Sequence, residues 1–383
     1  MRRIRPHARY YASRVPSLPG PRAPAMAGLE ADPNADPNLL NVFDYERRAA
    51  QKLPADVLAY YAGGALDERT LNDNRAAFDR RWLVPRVMTD VSIVDASVEI
   101  LGRRWPQPFW ICPLAMHRLA HGEGELATAR AAVHRGVTMV ESTSASVDLA
   151  DVAAIGGPRW FQVYLPQDRS ARRALIDRAV EHGYEALMLT VDLQRVGRRE
   201  RDLRAGFTIP PNMQLPNLAT AAGVAPGDGP SVPLAATVTW QDLEWLAAFG
   251  RPVLVKGVLH PDDALLALEH GASGVVVSNH GGRQLDGAIA SLDALGPIVD
   301  AVAGRAPVLF DGGIRRGHDA IVALAMGATA VGIGRPILWG LAVDGAAGVG
   351  RVLDLLSAEL ELSMALAGVA RIADLSPDLV RSR

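Results

Sequence analysis

A histidine and an arginine stand three residues apart in the stretch Val275–Asp286, which reads V-V-V-S-N-H-G-G-R-Q-L-D. His280 can change its charge near neutral pH, and Arg283 is a permanent cation that can hold a carboxylate with two parallel hydrogen bonds. Gly281 and Gly282 tolerate backbone conformations that other residues resist, so the loop can bend tightly around a bound group. A base beside an anion clamp suits the removal of a proton from a substrate that carries a carboxylate. Such a pair in a loop is more often solvated or structural, so its interpretation depends on the surrounding motifs.

The elements that must position this loop alternate regularly along the chain. Eight short β-type runs recur at Phe109–Cys112, Val137–Glu141, Trp160–Tyr164, Ala186–Val191, Pro252–Val255, Val275–Ser278, Val308–Phe310 and Thr329–Ile333. Helical patterns fill most of the intervals, at Glu125–Arg135, Arg172–His182, Asp262–His270, Leu292–Val302 and Gly317–Met326. Eight strands that alternate with helices predict a parallel sheet closed into a (β/α)8 barrel, the TIM barrel of the α/β class. An open doubly wound sheet would carry Gly-x-Gly-x-x-Gly after its first strand, and no such turn is present there.

Two further segments depart from this alternation. Before the barrel, Val42, Pro54 and Glu68 begin three predicted helices, which form an N-terminal helical extension. After the fourth strand, the segment Ala205–Trp240 contains six Pro, four Gly and a single charged residue. A long loop inside a compact domain is usually a lid or a disordered segment, and its place after a barrel strand favours a lid over the active-site face. Residues 39–383 are therefore predicted to form one barrel domain.

Composition limits the classes of protein to which the chain can belong. Hydrophobic residues make up 49% of the 383 residues and the formal net charge is −2, which favours a folded protein without a nucleic-acid surface. The single cysteine, Cys112, excludes a disulfide framework and favours a reducing compartment. No apolar run approaches the roughly 18 residues that span a bilayer, so no membrane association is expected. No metal site is predicted.

The first 25 residues contain six Arg and neither Asp nor Glu. This composition fits an organellar transit peptide, an over-long start ahead of Met26, or the arginine content of a GC-rich genome. We expect residues 1–38 to be a disordered extension and the protein to be cytoplasmic.

Polar residues follow the predicted strands at the end where barrel enzymes carry out their chemistry. The residues at these ends are Pro113, Leu114, Ala115, Ser142, Gln162, Tyr164, Thr190, Asp192, Lys256, Ser278, His280, Asp311, Gly312, Gly313, Arg315, Gly334 and Arg335. At the seventh and eighth ends, the glycines and the two arginines predict a phosphate site, because backbone N–H groups near helix starts and guanidinium groups bind phosphate. Lys256 would place a cation in the middle of the mouth, as a reduced flavin ring requires.

With these motifs the chain resembles the FMN-dependent (S)-2-hydroxy-acid oxidases and dehydrogenases, the glycolate oxidase and lactate oxidase group. The resemblance covers about Leu39 to Ile372, and its most specific piece is S-N-H-G-G-R-Q at Ser278–Gln284. Supporting pieces are Y-Y-A-G-G-A at Tyr60–Ala65, W-F-Q-V-Y at Trp160–Tyr164, L-T-V-D at Leu189–Asp192, G-R-R-E-R-D at Gly197–Asp202, L-V-K-G at Leu254–Gly257, D-G-G-I-R-R at Asp311–Arg316 and G-I-G-R-P at Gly332–Pro336. The resemblance implies FMN as the cofactor and oxidation of a small-molecule 2-hydroxy acid to the 2-oxo acid.

The resemblance also implies a role for each matching residue. His280 looks like the base that takes a proton from the substrate, and Asp192 looks like the partner that stabilises the imidazolium. The residues that would hold the substrate are Tyr60, Tyr164, Arg199 and Arg283, with the two arginines at its carboxylate. The residues that would hold the cofactor are Pro113, Leu114, Ala115, Ser142, Gln162, Thr190, Lys256, Ser278, Asp311 and Gly312, with Gly313, Arg315, Gly334 and Arg335 at the phosphate. Whether the electrons leave as a hydride or through a carbanion stays open.

Two departures from the family pattern bear on the substrate. Leu114 stands where many relatives carry Thr, and Ser144 stands where glycolate-type members carry a bulky Trp. Both changes remove constraints suited to a two-carbon acid, and Ala145, Val196 and the Ala205–Trp240 loop would complete the enlarged pocket. We predict a substrate larger than glycolate, such as lactate, a longer-chain acid or mandelate, in contact with Ser144.

The electron acceptor and the assembly state are further expectations. Membrane-bound dehydrogenases of this family, which pass electrons to a quinone or a protein, carry an apolar insertion or a basic patch in the lid loop. Here the loop has one acid and no basic residue, which favours an oxidase that reduces O2 to H2O2. The intact His280, Asp192, Arg283 and Tyr164 disfavour a non-catalytic flavin-binding relative. Barrels of this family associate through outer helices, so we expect a homo-oligomer, roughly a tetramer or an octamer.

Overall fold

Eight parallel strands close into a barrel in the order in which they follow one another along the chain. They are β1 (Phe109–Ile111), β2 (Thr138–Ser142), β3 (Arg159–Val163), β4 (Leu187–Thr190), β5 (Val253–Val258), β6 (Gly274–Val277), β7 (Val308–Asp311) and β8 (Ala330–Ile333). The ring closes where Val331 of β8 lies opposite Phe109 of β1. The computed structural model describes residues 36–221, 234–235 and 237–383, and Pro37–Arg383 form one compact unit. The predicted (β/α)8 barrel is confirmed, and each predicted strand overlaps an observed one.

Helices surround the barrel and precede it. They are α1 (Val42–Lys52), α2 (Ala55–Ala62), α3 (Arg69–Asp79), α4 (Glu125–Arg135), α5 (Leu149–Ile155), α6 (Arg169–Glu181), α7 (Glu200–Ala205), α8 (Pro216–Ala221), α9 (Trp240–Ala247), α10 (Pro261–Glu269), α11 (Ser291–Val302), α12 (Gly317–Ala325) and α13 (Arg335–Ala367). The predicted N-terminal helical extension corresponds to the first three, and α1 begins where the Asn41 side chain accepts from the backbone N–H groups of Phe43 and Asp44. A disordered extension was predicted for residues 1–38, of which residues 1–35 lie outside the described residues.

The inward side chains of the barrel change from apolar to polar toward the carboxyl ends of the strands. Residues two positions apart on a strand face the same side of the sheet. The deeper inward positions hold Trp110, Val140, Trp160, Met188, Leu254, Val276, Leu309 and Ala330, which pack into one apolar cluster. Two residues further along the same strands stand Cys112, Ser142, Gln162, Thr190, Lys256, Ser278, Asp311 and Gly332. The mainly polar mouth of the barrel therefore follows from the two-residue period of each strand.

A β-hairpin closes the opposite end of the barrel. Its strands, Val98–Ile100 and Arg103–Trp105, pair in antiparallel register. Ile100 and Trp105 are buried and join the inner apolar cluster, where the Trp105 ring lies 5.4 Å from the ring of Trp160. Their burial removes large apolar surfaces from water at this end. The cavity for a ligand lies at the polar end.

Helix α13 passes a length and composition test for a membrane-spanning helix. However, 67% of its most apolar 18-residue window is buried inside the protein. The helix packs against α1, α4 and α12. It is also kinked at Asp344 and Gly345, whose backbone angles are not helical. Burial against three other helices identifies α13 as a core helix of the folded domain.

The described parts of the segment after β4, which we call the lid (residues 205–221, 234–235 and 237–240), contribute lining residues to the cavity at the mouth of the barrel. The first runs to residue 221 and contains α8, so the predicted loop is partly helical. In the second, Ala235 N donates to the carbonyl oxygen of Leu165 at 2.8 Å, and Leu234 pairs with Pro166. Residues 222–233 and 236 lie outside the described residues. The first part is attached to the barrel domain through the packing of α8 against α6, and the second through these contacts of Leu234 and Ala235.

Candidate active site

A cavity of about 380 Å³ opens at the carboxyl end of the barrel strands. The predicted site residues that line it are Tyr60, Pro113, Leu114, Ala115, Ser142, Ser144, Tyr164, Thr190, Arg199, Lys256, His280, Arg283, Asp311, Gly312, Gly313, Arg315, Gly334 and Arg335. Three other predicted residues, Gln162, Asp192 and Ser278, lie behind this lining. They hydrogen-bond to Ser142, His280 and Lys256, respectively, at 3.2, 2.8 and 2.9 Å. The fold therefore brings all of the predicted residues to one place.

His280 follows β6, and its two ring nitrogens face different partners. Nδ1 lies 2.8 Å from Asp192 Oδ1, and Nε2 lies 3.4 Å from Tyr164 Oη. Asp192 can approach because residue 257 is glycine: a Cβ there would lie 2.7 Å from the carboxylate carbon. Since an ionised carboxylate can only accept, Nδ1 carries the proton and Nε2 is the basic nitrogen on the cavity side.

The surrounding charges set the protonation of this pair. Burial lowers the pKa of His280, and Lys256 and Arg283 lower it further, against Asp192, which raises it. Burial raises the pKa of Asp192, but His280 and Lys256 outweigh that effect and hold it below its ordinary value. At neutral pH the pair is therefore a carboxylate beside a neutral imidazole, which is the state in which histidine acts as a general base.

A buried cation occupies the middle of the mouth. Lys256 Nζ donates to Ser278 Oγ at 2.9 Å and lies 3.3 Å from Asp311 Oδ2, while Ser278 Oγ donates to Asp311 Oδ1 at 2.6 Å. Burial lowers the pKa of Lys256, but Asp311 and Asp192 more than compensate, so the pKa lies above its ordinary value. Lys256 therefore stays charged, and it can offset negative charge on a bound ring.

Two guanidinium groups line the cavity beside His280. Arg283 Nη1 donates to the carbonyl oxygens of Tyr60 at 2.6 Å and Gly63 at 2.9 Å. Within the described residues, the hydrogen bonds of the Arg199 guanidinium are two long ones of 3.5 Å, to Arg283 O and Gln284 Oε1. Burial and the neighbouring charge of Arg283 lower the pKa of Arg199 to about 10. Two adjacent cations with donors to spare form a site that a carboxylate would neutralise.

The two predicted phosphate arginines differ in their environment. In the described part of the chain, the guanidinium of Arg315 has one hydrogen-bond acceptor, the carbonyl oxygen of Ile314 at 2.9 Å. The guanidinium of Arg335 donates to the carbonyl oxygens of Tyr61, Gly63 and Gly281 at 2.9, 2.9 and 3.1 Å. Burial lowers the pKa of both arginines. Arg315 thus keeps most of its donors for an anion, whereas Arg335 also joins the end of α2 to the loop of His280.

Gly312 and Gly313 have a packing role in addition to the phosphate contact predicted for them. Both have positive φ angles, of 122° and 82°. A Cβ on Gly313 would lie 2.1 Å from the carbonyl oxygen of Asn74, and one on Gly312 would lie 2.9 Å from Ser291 Oγ. The close approach of α3 therefore requires glycine here. Exposure of their N–H groups to a phosphate stays a prediction.

Two buried polar atoms at the mouth end of the barrel strands have no partner among the described residues. They are Gln162 Nε2 on β3 and Thr190 Oγ1 on β4. Gln162 Oε1 accepts from Ser142 Oγ at 3.2 Å, which orients the amide. A buried donor without a partner costs free energy, so a bound polar group is expected to satisfy it. With Lys256 beside them, these atoms fit the polar ring edge of a flavin mononucleotide, and Arg315, which lines the same cavity, fits its phosphate.

One part of the cavity wall is mainly apolar, and half of its residues come from the lid. The lining residues there are Leu114, Ser144, Leu193, Val196, Phe207, Ile209, Leu215 and Leu234. Phe207 also stacks on Tyr60, with 4.3 Å between the ring centres. The prediction that Ala145 completes this pocket is wrong. Ala145 is fully buried and is not a lining residue, because the loop after β2 turns Ser144 toward the cavity and Ala145 into the core.

An asparagine pair that the sequence analysis did not identify holds the catalytic loop. Asn74 of α3 and Asn279 exchange two side-chain hydrogen bonds of 2.8 Å, and both residues are buried. Asn279 Oδ1 also accepts from Gly282 N at 3.1 Å. A sequence signal existed, since Asn74 is a polar residue four positions after Thr70 on the face of α3 that is buried with Ala77.

A second unpredicted group supports the phosphate end. Asp319 is fully buried in the first turn of α12. Its Oδ2 accepts from the backbone N–H groups of Arg315 and Arg316 at 2.8 and 2.9 Å and from Arg75 at 2.6 Å. An acidic residue at this position of a helix is a common cap signal, so it could have been found from the sequence.

Comparisons with known proteins agree with this geometry. A family model described as FMN-dependent dehydrogenase matches residues 49–382. The chain belongs to this family. It is 50% identical over 351 residues to an L-lactate oxidase of Nostoc sp., across 88% of this chain and 96% of that protein. It is 44% identical over 350 residues to glycolate oxidase 1 of Oryza sativa subsp. indica, across 88% and 94%.

A solved structure also matches the fold. The crystal structure of a mandelate oxidase, 41% identical, aligns with a TM-score of 0.83 over 90% of this chain and 98% of that chain. FMN is therefore the cofactor of this enzyme, and 2-hydroxy acids are its class of substrate. The residues that would hold FMN are those identified above at the mouth and at the phosphate end.

Proposed function

We propose that this enzyme oxidises (S)-2-hydroxy acids larger than glycolate to 2-oxo acids, with O2 as the electron acceptor. The observation that carries the proposal is the imidazole of His280, paired with Asp192 at 2.8 Å, beside the cations Arg199 and Arg283 in one cavity. A 2-hydroxy acid carries its carboxylate on the carbon that is oxidised. An anion clamp next to a base would therefore hold the reacting carbon close to the base.

The residues around the cavity would handle the protons of the reaction. Oxidation removes two electrons and two protons from the substrate, and FMN, when bound, would accept both electrons and one of the protons. His280 Nε2 would take one proton, and Asp192 would stabilise the resulting imidazolium. Burial, followed by the charges of Asp192 and Tyr60, raises the pKa of Tyr164, so its hydroxyl stays protonated and can donate a hydrogen bond to the substrate.

The apolar part of the cavity supports the proposed size of the substrate. Ser144 is a short side chain on the wall, and Leu114, Ile209 and Leu215 add apolar surface to the same cavity as the polar groups that would bind the carboxylate. One structural relative, with a TM-score of 0.84 and 40% identity, is a mandelate oxidase variant with (S)-mandelic acid. These observations support a side chain larger than a hydrogen atom at the 2-position, whether aliphatic or aryl.

Oxygen as the acceptor is supported by the relatives, since those of 50% and 44% identity are named oxidases. Reduction of O2 by the two electrons and two protons of the substrate would give H2O2. The lid also lacks basic residues, which a dehydrogenase that docks on a membrane or an acidic protein would use.

The proposal is tested by two measurements on the purified holoenzyme. Oxygen consumption is measured with glycolate, (S)-lactate, a longer (S)-2-hydroxy acid and (S)-mandelate, with the (R)-enantiomers as controls. Anaerobic bleaching of the flavin is followed with the same acids. We expect a higher kcat/KM for the larger (S)-acids than for glycolate. Anaerobic bleaching without oxygen consumption would identify a dehydrogenase, and absence of bleaching with every acid would refute the function.

A further inference from the structure

A second buried polar cluster lies outside the cavity, on the outer side of the barrel wall. Glu141 of β2 is fully buried and points away from the barrel axis, since its neighbour Val140 faces inward. The carboxyl group of Glu141 hydrogen-bonds to Tyr184, which precedes β4, and to Asn217 in α8. Both of these side chains are also fully buried. The chemistry described above makes no use of any of them.

The hydrogen bonds of this cluster form a closed ring that begins and ends at the backbone of Leu149. Leu149 N donates to Asn217 Oδ1 at 2.8 Å, and Asn217 Nδ2 donates to Glu141 Oε1 at 3.1 Å. Glu141 Oε2 hydrogen-bonds to Tyr184 Oη, which in turn lies 3.0 Å from the carbonyl oxygen of Leu149. Tyr184 has a single hydrogen to donate, so every link of this Leu149 ring exists only when the carboxyl group of Glu141 carries a proton.

Burial favours the protonated carboxyl group. It raises the pKa of Glu141 to about 8, against its hydrogen bonding with Tyr184 and Asn217, which lowers the pKa, while Glu125 and Asp148 raise it further. At neutral pH the carboxyl group is therefore mostly neutral, and it can donate to Tyr184 while it accepts from Asn217. A neutral, fully hydrogen-bonded carboxyl group is much less costly to bury than a carboxylate.

The Leu149 ring reaches the lid through Asn217. Two residues before Asn217, the side chain of Leu215 lines the cavity, as do Phe207 and Ile209. Asn217 Nδ2 also lies 3.4 Å from the carbonyl oxygen of Ser142, which is itself a lining residue of the cavity. The ring thus attaches the first described part of the lid directly behind the apolar wall that would face the side chain of a substrate.

We propose that Glu141 and Asn217 are positioning residues, and that the Leu149 ring holds the lid where Leu215 can contact the side chain of the substrate. The kinetic consequence rests on the proposed function, whereas the attachment of the lid is a property of the holoenzyme alone. Because the ring acts as a unit, loss of the Tyr184 hydroxyl would loosen the lid although Tyr184 lies outside it. An amide at position 141 can donate to Tyr184 and accept from Asn217, so Glu141→Gln would preserve every link.

The test compares four variants of the FMN-loaded enzyme, Asn217→Ala, Tyr184→Phe, Glu141→Leu and Glu141→Gln. Amide hydrogen exchange is measured in peptides that cover residues 206–221 and residue 149. We expect about tenfold faster exchange there in the first three variants, which corresponds to about 1.4 kcal/mol of lost local stability. Glu141→Gln is the matched control, and its exchange is expected to equal that of the wild type.

Steady-state kinetics supply the second measurement. Asn217→Ala and Tyr184→Phe are expected to raise KM for a bulky (S)-2-hydroxy acid about fivefold or more, with a smaller effect on kcat and on KM for glycolate, because glycolate has no side chain for Leu215 to contact. If Glu141→Leu fails to fold, these two variants still test the ring.

Three results would overturn the inference. They are unchanged exchange and KM in Asn217→Ala, a wild-type lid in Tyr184→Phe, and damage by Glu141→Gln as severe as that by Glu141→Leu. If the wild-type enzyme oxidises no 2-hydroxy acid, the proposed function fails, and the exchange measurements still decide whether the ring holds the lid.

Discussion

Replacement of Asp192 by asparagine tests the central pair of the site. Asp192 Oδ1 lies 2.8 Å from His280 Nδ1, and their side chains are only 15% and 19% exposed. Asparagine keeps an oxygen that can accept from Nδ1 but removes the negative charge. When His280 takes a proton from the substrate, that charge stabilises the imidazolium. Asp192→Asn is therefore expected to slow the reductive half-reaction without displacing the imidazole ring.

The size of the loss follows from the separation of the charges. Two unit charges about 4 Å apart interact by about 4 kcal/mol at an effective dielectric constant of about 20. At about 1.36 kcal/mol for each factor of ten in rate, full loss of this interaction would slow flavin reduction by about 10³. His280→Gln, which removes the base itself, is expected to cost roughly two to four powers of ten or more, since the described part of the site contains no second histidine within reach of the cavity.

The pH dependence gives a second, independent readout. His280 must be neutral to act as a base, so the rate rises as the pH rises through the pKa of His280. Asp192 raises that pKa against the effect of burial, and its replacement therefore lowers the pKa further. The acidic limb of the rate profile is expected to move to lower pH in Asp192→Asn. Anaerobic stopped-flow measurement of flavin bleaching at saturating substrate, between about pH 5 and 9, records both the rate and the limb.

A remote carboxylate provides the control. Asp354 is 10% exposed and is bonded to Arg135 at 2.9 and 3.1 Å, and it does not line the cavity. Asp354→Asn removes a similarly buried charge and is expected to reduce its flavin at the wild-type rate. Wild-type bleaching and an unshifted acidic limb in Asp192→Asn, with normal flavin content, would show that the carboxylate does not support the base.

Four further predictions concern other parts of the molecule. Arg315→Ala is expected to weaken FMN binding about tenfold or more with little change in apo-protein stability. Arg335→Ala is expected to weaken FMN binding and also to lower the stability, because three carbonyl oxygens each lose one hydrogen bond; flavin content and urea unfolding distinguish the two variants. Ser144→Trp is expected to lower kcat/KM for mandelate at least tenfold and to leave kcat/KM for glycolate unchanged, because the indole ring would overlap with the side chain of a bulky substrate. Burial raises the pKa of Glu141 from 4.5 to about 8, so its contribution to folding stability is complete below about pH 4.5 and is lost as the pH rises through about 8; Glu141→Gln is expected to remove that part of the pH dependence of the urea midpoint. Size-exclusion chromatography with light scattering is expected to give roughly four or eight subunits, and a monomer mass would contradict this.

Much of the fold could be predicted from local patterns in the chain. The short apolar runs and the helical intervals between them led to eight strands and a closed barrel, because strand and helix periods are properties of neighbouring residues. The polar mouth was predicted for the same reason. Val140 and Ser142 lie two positions apart, so they face the same side of β2 whatever the rest of the chain does. The S-N-H-G-G-R-Q stretch likewise identified the catalytic loop without any long-range information.

The side-chain contacts between distant parts of the chain could not be predicted in this way, because they form only when the barrel closes. Asp192 and His280 are 88 residues apart and meet because Gly257 leaves room for the carboxylate, and from the residues alone nothing in the spacing required that contact. The sequence suggested a phosphate role for Arg335, but its three carbonyl partners come from the end of α2 and the loop after β6. Such contacts are set by how helices dock on the barrel, and that docking minimises the free energy of the whole packed domain.

The Leu149 ring is the clearest example of contacts that local sequence patterns could not predict. On the strand pattern, Glu141 is an acidic residue at an outward position of β2 and would be expected to reach solvent. It is buried because Asn217 of α8 and Tyr184, ahead of β4, both hydrogen-bond to it, and the backbone of Leu149 at the start of α5 binds these two residues in turn. Side-chain direction follows from local periodicity, whereas burial and partners depend on elements that are distant along the chain. For that reason the chemistry of the mouth could be anticipated from the sequence, and the attachment of the lid became visible only in the assembled barrel.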